Sequence, residues 1–293
     1  IDSEKLKLVL DRMCIDSKVD LLFHTQVIGV LIRNSVVKAV KVFTRNGIED
    51  LSADIFIDAT GDGDLACWAG APYEVGRRED EAVQPMTLCF RMANVDTSKL
   101  DSDAINKQYN KAKEKGEIQN PRENVLYFKC IQNDVVHFNT TRIIGKKSTD
   151  AWSMTEAELE GRKQVDQMVR FLKKYVKGFE NAYLQRMAPQ IGVRESRRIM
   201  GKYLLTETDV LSARHFEDGI AACCYPLDIH NPTGTGTVMK HLKEGEYYTI
   251  PYRCIVPFTP DNVLIASRCI SATHEAHSSM RIMPVVWSIG EAA

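Results

Sequence analysis

The segment Ile55-Phe56-Ile57-Asp58-Ala59-Thr60-Gly61-Asp62-Gly63-Asp64 reads as a short apolar strand that closes in a glycine turn and passes into a helix near Leu65. Strand, glycine turn and helix start together bring backbone N–H groups to one spot, the arrangement that serves ligands carrying negative charge. Asp62 and Asp64 have two readings, ordering the turn or capping the helix. Working back from this segment, Val27 to Ile32 and Val36 to Phe43 alternate in polarity around a turn at Arg33-Asn34-Ser35. Asn46-Gly47 marks a second turn before a strand from Leu51 to Ile57. A further strand is expected over Val19 to Phe23. Ahead of it, Ser3 caps a helix carrying Leu6, Leu10, Met13 and Cys14 at helical spacing.

Beyond residue 76 the pattern is mixed. A strand is expected near Met86 to Met92 and a charged helix over Asp103 to Lys115. A second helix begins at a capping box, Thr155 with Glu158, and runs to about Tyr175. Strand-like runs return at Gly192 to Arg198, Gly219 to Pro226 and Tyr248 to Pro257. Asn262 to Arg268 then reads as a buried strand, followed by a helix beginning near Ser278 with Pro284 in its first turns.

Composition narrows the function classes. With 44% hydrophobic residues in 293, the chain can bury a sizeable core, and a formal net charge of -1 with only short basic runs argues against nucleic acid. No apolar run reaches the ~20 residues of a membrane span, so no membrane partner is expected. Eight cysteines without a repeating spacing read as reduced thiols, and a cytoplasmic location is expected from them. His274-Glu275-Ala276-His277 has one residue too few between Glu and the second His for the zinc-protease pattern, so no metal site is expected. Paired carboxylates at interpretable positions, which a glycosidase would need, are not apparent.

Three stretches in order resemble FAD-dependent oxidoreductases of the glutathione-reductase-like flavoprotein superfamily. They are Ile57 to Asp64; Ile191-Gly192-Val193-Arg194-Glu195-Ser196-Arg197-Arg198-Ile199 with Gly201-Lys202-Tyr203; and Ile250 to Arg253, through Asn262 to Arg268, to Ser278-Ser279-Met280-Arg281-Ile282-Met283-Pro284. The resemblance implies an α/β fold with an α+β second domain. An incomplete FAD/NAD(P)-binding Rossmann-like domain would be formed by 1–75 and 250–293, and a mixed β-sheet and helix substrate domain by 76–249. The family's opening Gly-x-Gly-x-x-Gly turn has no counterpart here. Together with ends that read as cut, at Ile1 and at Ile289 to Ala293, this makes a chain truncated at the N-terminus, and also at the C-terminus, the expectation.

The resemblance further implies FAD as cofactor, held by Ala59, Thr60, Gly61, Asp62 and Arg268, and by the helix start at Ser278, Ser279 and Met280 facing the flavin pyrimidine edge. Ser267 stands where relatives usually carry glycine. Arg281 either places a fixed positive charge at the flavin or pairs with a carboxylate. His274 and His277 are candidates for proton transfer or are hydrogen-bonded structural residues. His230 faces substrate or sits in a loop. Arg194 and Arg197, with Arg198 and Glu195, either anchor an anionic substrate or form an internal ion-pair network. The activity implied is hydride transfer from a small-molecule substrate to flavin, then to an electron acceptor the sequence does not name. The competing expectation is an inactive flavoprotein-fold fragment serving as a binding or assembly module.

Overall fold

In a computed structural model, residues 2–293 are described; Ile1, where the first domain was expected to begin, lies outside them. Helix α1, Ser3–Asp16, is capped by Asp2 rather than Ser3: the Asp2 carboxylate accepts from the Glu4 and Lys5 amides. None of its residues is buried, and its side-chain hydrogen bonds to the rest of the molecule run from Ser3 to Arg91 and from Glu4 to Arg186. The strand expected over 19–23 does not form. Its side chains stay exposed because, among the described residues, there is no sheet for that backbone to join.

A three-stranded antiparallel meander follows: β1 Gln26–Arg33, β2 Val36–Thr44 and β3 Gly47–Ser52. The first turn is two residues, Asn34 and Ser35, both at positive φ, as a tight hairpin requires. The strand expected over 51–57 is broken at Ala53–Ile55, so β4, Phe56–Asp58, leaves the meander and joins another sheet.

Helix α2, Asp64–Trp68, follows the glycine turn, and β5, Tyr73–Val75, comes next. The middle of the chain contains β6 Phe90–Ala93, α3 Ser102–Glu114, β7 Tyr127–Lys129, β8 Val136–Phe138, α4 Ala151–Tyr175 and β9 Tyr183–Met187. Helix α4 starts four residues before the expected capping box. Asp150 caps it, and Thr155 lies inside it, its hydroxyl donating to the Ala151 carbonyl. The order β7-β8-β6-β9 makes one antiparallel sheet, and α3 and α4 share its core. Phe90 and Phe138 stack at 4.7 Å there, beside Met168 and Leu172, all essentially inaccessible. Each such side chain contributes roughly 1.5–3 kcal/mol on burial.

The last third comprises β10 Arg197–Ile199, α5 Glu207–Leu211, β11 Gly219–Cys223, β12 Leu227–His230, β13 Thr237–Lys240, β14 Tyr248–Pro251, β15 Val263–Ile265, α6 His274–Met280 and α7 Met283–Ala292. The single helix expected from Ser278 is thus two, broken at Arg281-Ile282, with Pro284 in the first turn of the second. Residues 199–249, which sequence grouped with the middle region, pack with the glycine-turn segment. Ile199, Leu227, Tyr248 and Ile250 share a core with Phe56, Leu65, Val263, Ile265 and Ile289. Among the described residues there are therefore two apolar cores, the buried residues of the second lying within 86–191.

Candidate functional site

Strand β15 runs parallel to β4, with Val263, Leu264 and Ile265 opposite Phe56, Ile57 and Asp58. The register continues one step beyond the strands, where the Ala266 amide donates to the Asp58 carbonyl at 2.9 Å. Two corners 200 residues apart in sequence, Ala59–Asp62 and Ala266–Arg268, are thereby set side by side. Asp58 ties the first corner: its buried carboxylate accepts from the Thr60 amide and hydroxyl and from the Ala66 amide, at 2.7–2.9 Å. Gly61 has φ +87°, and a Cβ there would stand 2.8 Å from Nη1 of Arg268. Only glycine combines that backbone with that neighbour.

Asp62 is engaged within the protein. Its carboxylate pairs with Arg268 and accepts from the Ser196 hydroxyl at 2.7 Å, while its carbonyl accepts from Arg197. It orders the turn, while the first-turn amides of α2, those of Asp64 and Ala66, donate to the Thr60 hydroxyl and the Asp58 carboxylate. Ser267 donates to or accepts from the Cys269 thiol at 2.9 Å and lines the second corner.

The corners open on a groove of about 600 Å³. Ala59, Gly61, Ala266 and Arg268 line one side. Thr87, Cys89, Asn139, Gly192 and Arg194, from the region of the middle sheet, line another. Arg281, at the end of α6, and Met283, Val286 and Trp287 of α7 complete it. It is α7, not a helix starting at Ser278, whose N-terminus meets the groove, and that end carries no side-chain cap. Ser278, Ser279 and Met280 lie fully buried in α6. The Ser278 hydroxyl donates to the Glu275 carbonyl and accepts from the Asp228 amide, and that of Ser279 bonds Tyr248 and the Tyr225 carbonyl.

The three arginines of the second stretch separate. Arg197 bonds Asp64 at 2.7 Å and stacks on Tyr73, away from the groove. Arg198 is buried against Glu195 at 2.5 Å, bonds the Ala272 and Gly76 carbonyls, and lies 3.5 Å from Glu74. These two form the internal network. Of these arginines Arg194 alone reaches the groove. Burial, with Arg281 nearby, lowers its guanidinium to about 9.

The histidines lie behind the groove wall. Nδ1 of His274 bonds Glu195 at 2.9 Å, and the residue borders a neighbouring cavity with Arg77 and Glu275. His277 is 1% exposed with Nδ1 unpartnered, and burial holds its pKa well below the usual histidine value. His230 ends β12, buried. Its Nδ1 faces Arg142 and Thr237, each at 3.1 Å, and its Nε2 lies 3.4 Å from Asp228. Burial, against the opposing pull of Asp228, brings His230 down to about 4. Burial works to raise Asp228, but hydrogen bonding from His230 and the charge of Arg281 overcome it and hold the carboxyl at about 2.

Sequence reasoning missed Arg142, the largest fully buried side chain, and Asp228, Thr87 and Asn139. A lone arginine between Thr140-Thr141 and the apolar Ile143-Ile144 was the one available signal for Arg142.

The family model described as FAD dependent oxidoreductase matches residues 1–293. The chain belongs to this family. The family's cofactor is FAD, and the groove fits such a group on its own evidence. Two buried donors at its walls, Nε of Arg268 and Nε of Arg281, have no partner. A cradle at Gly61 lets backbone come close, and a helix N-terminus is uncapped.

Among solved structures, the chain is similar to the L-proline dehydrogenase of P. horikoshii, at 11% identity and TM-score 0.39, covering 94% of this chain and 50% of that one. A geranylgeranyl bacteriochlorophyll reductase-like protein of Thermoplasma acidophilum gives 17% and 0.40, covering 68% and 42%. Glycine oxidase of Bacillus cereus gives 12% and 0.34, covering 65% and 43%. The chain spans half or less of the length of these proteins. No curated protein sequence matches it. Among the described residues no helix is long and apolar enough to cross a membrane, and no cluster of metal-ligating side chains occurs.

Proposed function

We propose that this chain supplies the flavin-facing half of an enzyme that oxidises a small organic substrate, and that the groove between the two corners and α7 receives FAD. Bound there, FAD supplies the two-electron acceptor for a hydride leaving the substrate. The remaining work falls to the chain's own side chains. Gly61 leaves its corner open to close backbone approach, and Ala59 and Thr60 present main chain beside it. Arg268 and Arg281 each offer a buried N–H without a protein acceptor. The Met283 and Val285 amides at the start of α7, with Pro284 offering none between them, favour negative charge by roughly 0.3–1 kcal/mol, more where water is excluded. Preorganised donors of this kind stabilise charge that develops during a reaction without reorganising.

In this reading the flavin portion comprises 1–75 and the segment from about 199 to the end, and the substrate portion is the unit built on the second core. The substrate enters over Thr87, Asn139 and Arg194. His230 is a positioning residue rather than a base, because its one lone pair already faces Arg142.

The observation that carries the reading is the Asp58–Ala266 hydrogen bond, which makes one cradle of two corners. The test is the absorbance spectrum of the intact gene product before and after dithionite. Flavin bands that bleach support it. A folded, intact protein that takes up no flavin on reconstitution overturns it.

A further inference from the structure

The groove contains an arginine fork with nothing to hold. Wherever this protein pairs an arginine with a carboxylate side-on, it uses the edge formed by Nε and Nη2. Arg77 meets Asp80 at 2.8 Å through both atoms, and Arg253 meets Asp218 at 2.9 and 3.2 Å. That edge matches the two oxygens of a carboxylate. In Arg194 the other nitrogen, Nη1, is fixed by the Pro85 carbonyl and the Thr87 hydroxyl at 2.6 and 2.5 Å. Its Nε/Nη2 edge has one long contact, to Asn139 at 3.4 Å. Among the described residues no carboxylate reaches Arg194, although it lies deep enough for burial to lower its pKa.

The surroundings add to the imbalance. Three arginines and no acidic side chain line the groove. Arg268 is neutralised by Asp62. Arg281 has only long contacts, to Gln84, the Asp228 carbonyl and the Asp228 carboxylate at 3.4–3.7 Å, and its charge bears on Arg194. Asp228, 3.7 Å from Arg281, offsets part of this charge from one side, and an anion placed between Arg281 and Arg194 relieves the remaining cost at both.

We infer that the substrate is a carboxylate, seated side-on upon the Nε/Nη2 edge of Arg194, with Thr87 and Pro85 holding the guanidinium in place. This rests on the reading of the groove as the oxidation site, and it names the class of molecule oxidised there: small organic acids rather than neutral alcohols or amines. Val193 and Val286, with Trp287, leave room for an apolar body behind the carboxylate.

The test compares benzoate with its neutral isostere benzamide by titration calorimetry on the purified protein, with flavin content measured in the same sample. Benzoate should bind about tenfold or more tightly than benzamide, the scale set by one charge-assisted bidentate contact. Arg194→Lys keeps the charge but removes the fork, and should weaken benzoate by about tenfold while leaving benzamide and flavin content unchanged. Arg194→Met should weaken benzoate further. Equal binding of benzoate and benzamide to the unaltered protein overturns the inference without recourse to any variant. So does unchanged benzoate affinity in Arg194→Lys, or loss of flavin from that variant with benzoate affinity retained, which would assign Arg194 to the cofactor. If the protein holds no flavin yet binds benzoate through Arg194, the oxidation reading fails and the carboxylate site stands.

Discussion

Nη2 of Arg142 lies 3.1 Å from Nδ1 of His230, and because a guanidinium can only donate, that nitrogen of the imidazole must accept. The ring proton therefore sits on Nε2, directed at Asp228. A buried arginine of the middle region thus sets the tautomer of a histidine 88 residues later in the chain.

The first prediction concerns that ring. Held at about 4 by burial, His230 stays neutral throughout the range in which a free histidine titrates. Nitrogen-15 spectra of the imidazole should report the Nε2–H form unchanged from pH 8 to about 5. Appearance of a protonated ring above pH 6 would contradict it.

Stability should follow the same group. The unfolded chain binds a proton at His230 near pH 6.5 and the folded chain only near 4, so the unfolded state gains protons first as pH falls. The contribution is fully present above about 6.5 and is lost between there and 4. Asp228, lowered to about 2, extends the loss from its unfolded value near 3.8 downward. Urea unfolding at pH 7 and pH 4.5 should differ by about 2–3 kcal/mol from His230, and His230→Asn should flatten that dependence.

Arg142→Met should be strongly destabilising. Its side chain is 1% exposed and bonds Glu123, the Gly234 and Gly236 carbonyls, His230 and Thr237. Leaving these groups without their donor costs about 3 kcal/mol or more, measurable as a lower urea midpoint. Arg170→Met, on an exposed pair with Asp166, is the control and should change stability by less than about 1 kcal/mol.

Gly61→Ala and Gly70→Ala separate backbone strain from occupancy. Both glycines have φ near +86°, so each variant pays a similar conformational cost of about 1–2 kcal/mol. A Cβ at Gly70 meets nothing within 4 Å, whereas at Gly61 it displaces the Arg268 guanidinium, the far end of a flexible side chain. Unfolding midpoints of the two should be similar, while flavin retention should fall by about tenfold in Gly61→Ala alone. Equal flavin content in the two would remove Gly61 from the cradle.

Glu195→Gln should be among the most harmful single changes. The carboxylate is inaccessible and serves Arg198, His274 and the Gln84 amide together. Neutralising it strands a buried guanidinium, at about 3–5 kcal/mol, read as lost soluble yield or a lower melting temperature.

Local chemistry made part of this legible in the sequence. Asn34-Ser35 and Gly47 announce the meander, and the run from Ile55 to Asp64 announces its strand, turn and helix, because each depends on neighbours a few residues apart. Thr155 misled because a threonine inside a helix can bond back to its own preceding turn as readily as cap a new one. The apolar run 19–23 has strand composition, but a strand exists only where a partner offers its edge. The groove was legible on the side of Ala59–Asp62 and Arg268, which motifs mark. It was illegible at Thr87 and Asn139, whose place comes from the packing of the middle sheet against the first core. Arg194 and Arg197 look alike in sequence. Asp64 lies beside one and no acid beside the other, and only tertiary packing decides that.

The parallel register of Ile57 with Leu264 also governs when the site can exist. These residues stand 207 positions apart, so a growing polypeptide emerging from the ribosome has completed everything through β14 before the second corner is synthesised. Contacts of such separation form late because a long loop must close first. Capture of the nucleotide therefore follows assembly of both cores, and a nascent chain halted before residue 263 should fold its middle unit yet remain colourless.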